Sequence, residues 1–243
     1  MKERGVLNAA SLVEWKRQTG VLSYSVPPKS VILSPQSISF SSNPIKKRKR
    51  LKGLFGQNEC VDIEKGIYLS TGWGLGAPAL VALCEEFLAL GAQSFYLVGL
   101  VGGISSNVAE GEIVYAKSAI SEEGTSKHYE SSKMNSDSVI NLNNENEEKL
   151  AKLGIEGKRI VSTDAPFRET EEKLSIWNKL GAEVIDMETA GIYSFASYYK
   201  VNVGSLGIVA DSLVSNTWSR PKDVNLLKMK LNETAIRLVK EVI

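Results

Sequence analysis

Two carboxyl groups, Asp186 and Glu188, lie one residue apart in the stretch Val184-Ile185-Asp186-Met187-Glu188-Thr189-Ala190. The apolar run before them reads as a buried strand, and Gly191-Ile192-Tyr193-Ser194-Phe195-Ala196 after them reads as an amphipathic helix. Charge at such a junction costs several kcal/mol of desolvation unless partners meet it. The plain reading is that Glu188 favours the helix N-terminus, where the dipole welcomes an anion. The chemical reading is a carboxylate held for a ligand. Spacing alone does not decide between them. A further carboxylate, Asp211, ends the buried run Leu206-Gly207-Ile208-Val209-Ala210.

The elements that must position these groups can be read in order. Val31-Ile32-Leu33 is a strand, after a weakly patterned segment over 1–30. Ile67-Tyr68-Leu69-Ser70 is another, leading into the loop Thr71-Gly72-Trp73-Gly74-Leu75-Gly76-Ala77-Pro78. Its glycines let backbone approach a ligand, and Pro78 suits the first helical position. Leu80, Leu83, Cys84, Phe87 and Leu88 mark one helical face, ended by Gly91. The strand Phe95-Tyr96-Leu97-Val98 follows, closed by the expected turn Gly99-Leu100-Val101-Gly102-Gly103. This is a βαβ unit with parallel strands and a right-handed crossover. Further strands are expected at Glu112-Ile113-Val114-Tyr115-Ala116 and Arg159-Ile160-Val161-Ser162. A Ser-, Asn- and Glu-rich surface excursion over 130–150 separates them, and a helix built on Leu227, Leu231, Leu238 and Val242 closes the chain. The alternation predicts one α/β domain with a largely parallel sheet, whose ligands bind beyond the carboxyl ends of the strands.

Composition narrows the function. The 243 residues are 43% hydrophobic and 23% charged, with net charge +1, ordinary for a soluble globular protein. Near-neutral charge gives no reason to expect a nucleic acid or an anionic membrane, and the run Lys46-Lys47-Arg48-Lys49-Arg50 reads as a solvated loop. Cys60 and Cys84 lack metal-type spacing. No apolar run has the length of a membrane span and the N-terminus has no signal-peptide core, so a cytoplasmic protein is expected. The spacing Gly72-Trp73-Gly74-Leu75-Gly76 is not the dinucleotide fingerprint, which excludes a nicotinamide cofactor. The only histidine, His128, sits in a polar segment where an idle exposed side chain is the ordinary outcome.

Several pieces together resemble one family. Gly74-Leu75-Gly76-Ala77-Pro78, Val98-Gly99-x-x-Gly102-Gly103, Gly111-Glu112-Ile113-Val114, Gly124-Thr125-Ser126, Ser162-Thr163-Asp164, Met187-Glu188-x-Ala190 and Ala210-Asp211 occur in its order over roughly 30–240. The chain resembles the nucleoside phosphorylase family, which includes hexameric purine nucleoside phosphorylases, uridine phosphorylases and methylthioadenosine nucleosidases. The resemblance implies a three-layer αβα sandwich with a mixed, largely parallel sheet. It also implies a ribosyl-transfer site that uses no metal or cofactor, and a homo-oligomer, either a dimer or a trimer of dimers.

By resemblance Glu188 holds the ribose hydroxyls and Met187 lies against the sugar. Asp211 is the acid that protonates a purine, and Phe167 with Pro166 stacks the base. Asp186, Arg168, Gly102 and His128 complete the substrate-facing set, with Gly74, Gly76 and Lys52 as the phosphate candidates. The implied activity is phosphorolysis of a nucleoside, purine before pyrimidine, with phosphate as co-substrate. Two departures open alternatives. The family's Gly-Asp-x-x-Arg loop is here Ser34-Pro35-Gln36-Ser37, and Leu97 and Leu100 stand where an arginine and a hydroxyl residue are usual. Anionic phosphate needs cationic or backbone donors, so a phosphate-independent nucleosidase and a non-catalytic nucleoside binder are the other readings. Arg220 and Lys222 are candidates for the cation that supports the purine acid.

Overall fold

The computed structural model describes residues 5–23, 26–38, 49–55, 59–64, 66–129 and 139–241. Lys46 to Arg48 of the basic run, 130–138 of the polar excursion, and Val242 lie outside them. In order the elements are α1 (Ala9–Gln18), β1 (Ser30–Ser34), β2 (Lys49–Leu51), β3 (Glu59–Glu64), β4 (Ile67–Thr71), α2 (Ala77–Ala89), β5 (Ser94–Gly103) and β6 (Ile113–Glu122). Then come β7 (Val139–Asn141), α3 (Asn144–Ala151), β8 (Glu156–Thr163), α4 (Glu171–Lys179), β9 (Val184–Asp186), α5 (Thr189–Tyr199), β10 (Asn202–Ser212) and α6 (Val224–Glu241). No helix among the described residues is long and apolar enough to cross a membrane.

The sheet is mixed, and part of it closes on itself. β4, β1, β5 and β10 are neighbours in that order and run parallel. β4 and β5 are therefore parallel as expected, with β1 between them. β6 is antiparallel to β10, β8 and β9 run parallel to β6, and β9 returns antiparallel to β5. The path β5–β10–β6–β8–β9–β5 is a ring. It closes because β5 changes partners along its length. Residues 94–97 pair with β1, whereas Gly102 and Gly103 pair with Ile185 and Val184.

That exchange corrects the turn expected over 99–103. Those residues continue the strand, pairing with β10 from Gly99↔Gly207 to Gly103↔Ser212. Glycine is needed for crowding rather than for turning. A Cβ on Gly102 would stand 3.0 Å from Ile185 Cγ2 and 3.1 Å from Asp211 Oδ1.

Helix termini follow the sequence signals. Pro78 sits in the first turn of α2, and Gly91 (φ 111°) and Gly181 (φ 80°) take up the left-handed backbone just past α2 and α4. α2 packs on α5, where a Cβ on Gly191 would come within 2.6 Å of Ala77 Cβ. α6 lies on β5 and β10, burying Leu227, Leu231 and Leu238.

The segment over 1–30 holds a helix that periodicity did not announce. α1 buries only Val13 among its apolar residues and leaves Trp15 exposed, so no hydrophobic stripe betrays it. It is capped by Asn8, whose carboxamide oxygen accepts from the Ser11 amide at 3.0 Å. An ion pair docks it on α2: buried Lys16 donates to Glu86 at 2.6 Å.

Candidate active site

A cavity of about 570 Å³, a size that suits a small organic ligand, is lined by residues of β5, β9 and β10 and of the segments after β1, β4, β8 and β9. Its wall includes Gln36, Leu75, Leu100, Met187 and Glu188. Pro166, Phe167 and Glu169, with Asp211 and its partner Trp218, form the Phe167 end of that wall.

Asp186, which ends β9, and Glu188, two residues on, divide the readings set against each other in the sequence. Asp186 accepts from Ser162 Oγ at 2.5 Å, from Thr189 Oγ1 at 2.5 Å and from the Thr189 amide at 3.0 Å. It is Asp186, therefore, that caps α5 and ties β8 to β9. Ser162 Oγ also accepts from the Ala190 amide at 2.9 Å. Asp186 lines the cavity, but both its oxygens are held by the fold, and burial pushes its carboxyl up against those hydrogen bonds.

Glu188 occupies the N-cap position of α5 without capping it. Its Oε1 accepts from the Gly76 amide at 2.6 Å and its Oε2 from the Met187 amide at 3.2 Å. Those two backbone amides supply no countercharge. Burial, then the neighbouring Asp186, pushes the Glu188 carboxyl up to about 7, with the amides opposing. The glycine loop after β4 therefore serves Glu188. Gly76 adopts φ 96°, open to glycine, and its N–H is taken by the carboxylate.

Asp211 ends β10 beside Gly102. Its Oδ2 accepts from Trp218 Nε1 at 2.8 Å. Trp218 is brought back by a bridge in which Ser212 and Ser219 exchange amide hydrogen bonds of 3.1 and 2.8 Å. The turn between them holds Ser215 (φ 65°) and Asn216 (φ 57°) in the left-handed region. Phe167, fully exposed, stands on a 3-10 turn (Pro166–Arg168) with its ring free for stacking. Next to it is Glu169, pushed up to about 7 by burial and then by Asp211, with Lys173 opposing.

The structure thus gathers Met187, Glu188, Asp186, Phe167, Pro166, Gly102 and Asp211 around one cavity, and leaves the other expected positions out of its lining. His128 is exposed on the 3-10 turn Ser126–His128, which packs on α5. Arg168 is exposed beside Phe167. Lys52 is exposed, its backbone bridged to Ser23. Gly74 is exposed too, and Lys222 is engaged by Glu110, whose oxygen accepts its amide at 2.5 Å. Among the described residues no lysine, arginine or histidine lines the cavity. No group of His, Cys, Asp or Glu among the described residues could hold a metal ion.

Three lining residues, Glu169, Trp218 and Gln36, were not singled out as site residues. Glu169, four residues before Lys173, resembles a surface helical ion pair. Trp218 is seven residues past Asp211 and reaches it only through the backbone bridge, which leaves no pattern in the sequence. Gln36 lies in the loop noted for lacking the usual arginine, and its Oε1 is buried without a hydrogen-bond partner among the described residues.

A model of the Phosphorylase superfamily matches residues 35–243. The chain belongs to that family. Among curated members, a DeoD-type purine nucleoside phosphorylase of Caldanaerobacter subterraneus subsp. tengcongensis is 24% identical over 195 residues, 74% of this chain and 84% of its own. Among solved members, a Vibrio fischeri uridine phosphorylase has TM-score 0.68 at 20% identity, covering 90% of this chain and 98% of its own. A Campylobacter jejuni 5'-methylthioadenosine/S-adenosyl homocysteine nucleosidase has TM-score 0.67 at 14% identity, covering 88% and 98%. The family fold thus carries both phosphorylases and nucleosidases by name, and the distinction must come from the cavity itself.

Proposed function

We propose that this protein cleaves the N-glycosidic bond of a nucleoside with water as the sugar's acceptor, releasing free base and pentose. The observation that carries this reading is the charge of the cavity wall: Glu169, Asp186, Glu188 and Asp211 line it, and among the described residues no cationic side chain does. A dianionic phosphate meeting such a wall lacks the guanidinium or ammonium partners that would offset its desolvation, whereas water carries no charge. Leu100 and Gln36, which also line it, carry no charge.

Cleavage makes the sugar carbon electron-poor and the departing base electron-rich. Ionised Glu188, hydrogen-bonded to the ribose hydroxyls, favours the cationic sugar. An acid at the Phe167 end, where Asp211 and Glu169 meet, protonates the base, and the Phe167 ring offers a face for it. Phosphorolysis is the second reading, favoured by the names of the curated relatives and by a loop whose backbone can still approach a ligand.

Incubating the protein with inosine, adenosine and uridine, with and without phosphate, separates the two. Base release unchanged by phosphate, with free pentose as co-product, is expected. Release only with phosphate, yielding pentose 1-phosphate, would replace the hydrolytic reading by the phosphorolytic one.

A further inference from the structure

The cavity wall is rich in hydrogen-bond acceptors and poor in donors. Among the described residues that line it, Gln36 and Trp218 carry the side-chain N–H groups, and that of Trp218 is taken by Asp211. Asp186 has both oxygens engaged by hydroxyls and an amide, and Glu188, with one backbone amide on each oxygen, is the acceptor assigned to the sugar. The acceptors left for a ligand at the Phe167 end are Asp211 Oδ1, which faces the bare backbone of Gly102, and the Glu169 carboxyl. No side chain among the described residues donates to Glu169; Lys173 nearby pairs with Glu122 at 3.2 Å.

We propose that Glu169 and Asp211 read the base as a pair, Glu169 donating its carboxyl proton to a ring nitrogen while Asp211 accepts from an adjacent exocyclic amino group. The ligand class is an aminated heterocycle of the adenine kind, which presents an acceptor beside a donor. On the edge that carries N7, a 6-oxo base presents two acceptors and leaves Asp211 facing an oxygen, a mismatch of the kind that a polar site rejects strongly. The roles divide this way for a physical reason. Asp211 already accepts the Trp218 indole N–H and is placed as an acceptor, whereas Glu169 is half-buried beside Asp211, and no side chain among the described residues donates to it.

The groups facing Glu169 are Asp211 from β10 and Lys173 from α4, with Asp186 of β9 and Glu188 at the start of α5 also lining the cavity. The two that act most strongly on it after burial oppose each other, and Asp211 outweighs Lys173, so the proton is held to about pH 7.

On the hydrolytic reading, on which the catalytic half of this proposal rests, the proton balance is complete. The bond from C1′ to the base nitrogen breaks with its electron pair left on the base. The Glu169 proton passes to another ring nitrogen of that base. Water oxygen bonds to C1′, and its released proton returns to the carboxylate through solvent.

Calorimetric titration of adenine and hypoxanthine into wild type, Glu169→Gln and Glu169→Ala at pH 6 and pH 8 tests the pairing without turnover. Wild type should bind adenine on the order of tenfold tighter than hypoxanthine at pH 6. It should lose about tenfold in adenine affinity by pH 8, as Glu169 ionises. Glu169→Gln, which keeps a donor that does not titrate, should flatten that dependence, and Glu169→Ala should lose the preference. Adenosine cleavage should fall by roughly 10²-fold in Glu169→Gln, the general-acid contribution. Adenine affinity, preference and pH dependence left at wild-type values in both variants would overturn the pairing. If the binding pattern holds but wild type releases no base from any nucleoside, the pairing stands and the hydrolytic reading falls instead.

Discussion

Two buried glutamates in this molecule are treated in opposite ways. Glu86, on α2, meets the ammonium of Lys16 at 2.6 Å and the Phe55 amide at 3.0 Å. Glu188, on the cavity wall, meets two amides and another carboxylate, and burial lifts it to about 7. Both are nearly inaccessible, at 2% and 5% exposure, so depth alone does not separate them. Countercharge does. The first acid is answered by the fold and holds α1 in place. The second lacks a cation, and that gap is what a sugar's hydroxyls and developing positive charge would fill.

The comparison can be broken at either end. The largest effect expected is on Lys16→Met, which strands Glu86 in the core and should cost about 3–5 kcal/mol of stability by denaturant titration. Lys16→Met with Glu86→Leu should regain most of it, since an apolar pair of similar volume replaces a buried ion pair at little cost. Nucleoside cleavage should be intact in the double variant, because neither residue lines the cavity.

Glu188→Gln should behave in reverse, losing about 10²–10³-fold in turnover while remaining folded. Near-normal turnover would remove Glu188 from the sugar-binding role.

The smallest effect is the most diagnostic. A carboxyl whose native pKa lies above its unfolded value binds more protons in the folded state. It therefore lowers stability as pH rises between the ordinary carboxylate value of 4.5 and the native value of about 7. Wild type should lose stability across that window, and Glu188→Gln should lose less. The variant should gain on the order of 1–2 kcal/mol over wild type at pH 8, part of the relief being offset by an amide facing the Met187 N–H. Parallel melting curves of the two proteins at pH 5 and pH 8 would contradict the account of Glu188 as an unanswered charge.

How far the sequence disclosed this depends on whether a signal was local. The strands at Val31, Ile67, Phe95, Ile113 and Ile160, Pro78 in the first turn of α2, and the acids Asp186, Glu188 and Asp211 near strand ends were legible, because each is set by burial or chain geometry within a few residues, whereas Lys49 and Arg50, read as part of a solvated loop, lie in β2. Ring closure was not. It depends on β5 leaving β1 and taking β9, and glycines that read as a turn are there to admit Ile185 and Asp211. α1 was hidden because an ion pair seventy positions away in sequence anchors it instead of an apolar face. Trp218 was hidden because a fold-back turn, not spacing, delivers it to Asp211. The helix N-terminus was read for Glu188, yet Asp186, two residues earlier, accepts the Thr189 amide, a difference that only the direction of each carboxylate reveals.

The most direct test of the central claim is a crystal structure of Glu188→Gln with an intact purine nucleoside bound. The account places the ribose 2′ and 3′ hydroxyls within hydrogen-bond distance of residue 188 and the base between Phe167 and Asp211. A nucleoside seated with its sugar away from residue 188, or bound outside this cavity, would contradict it.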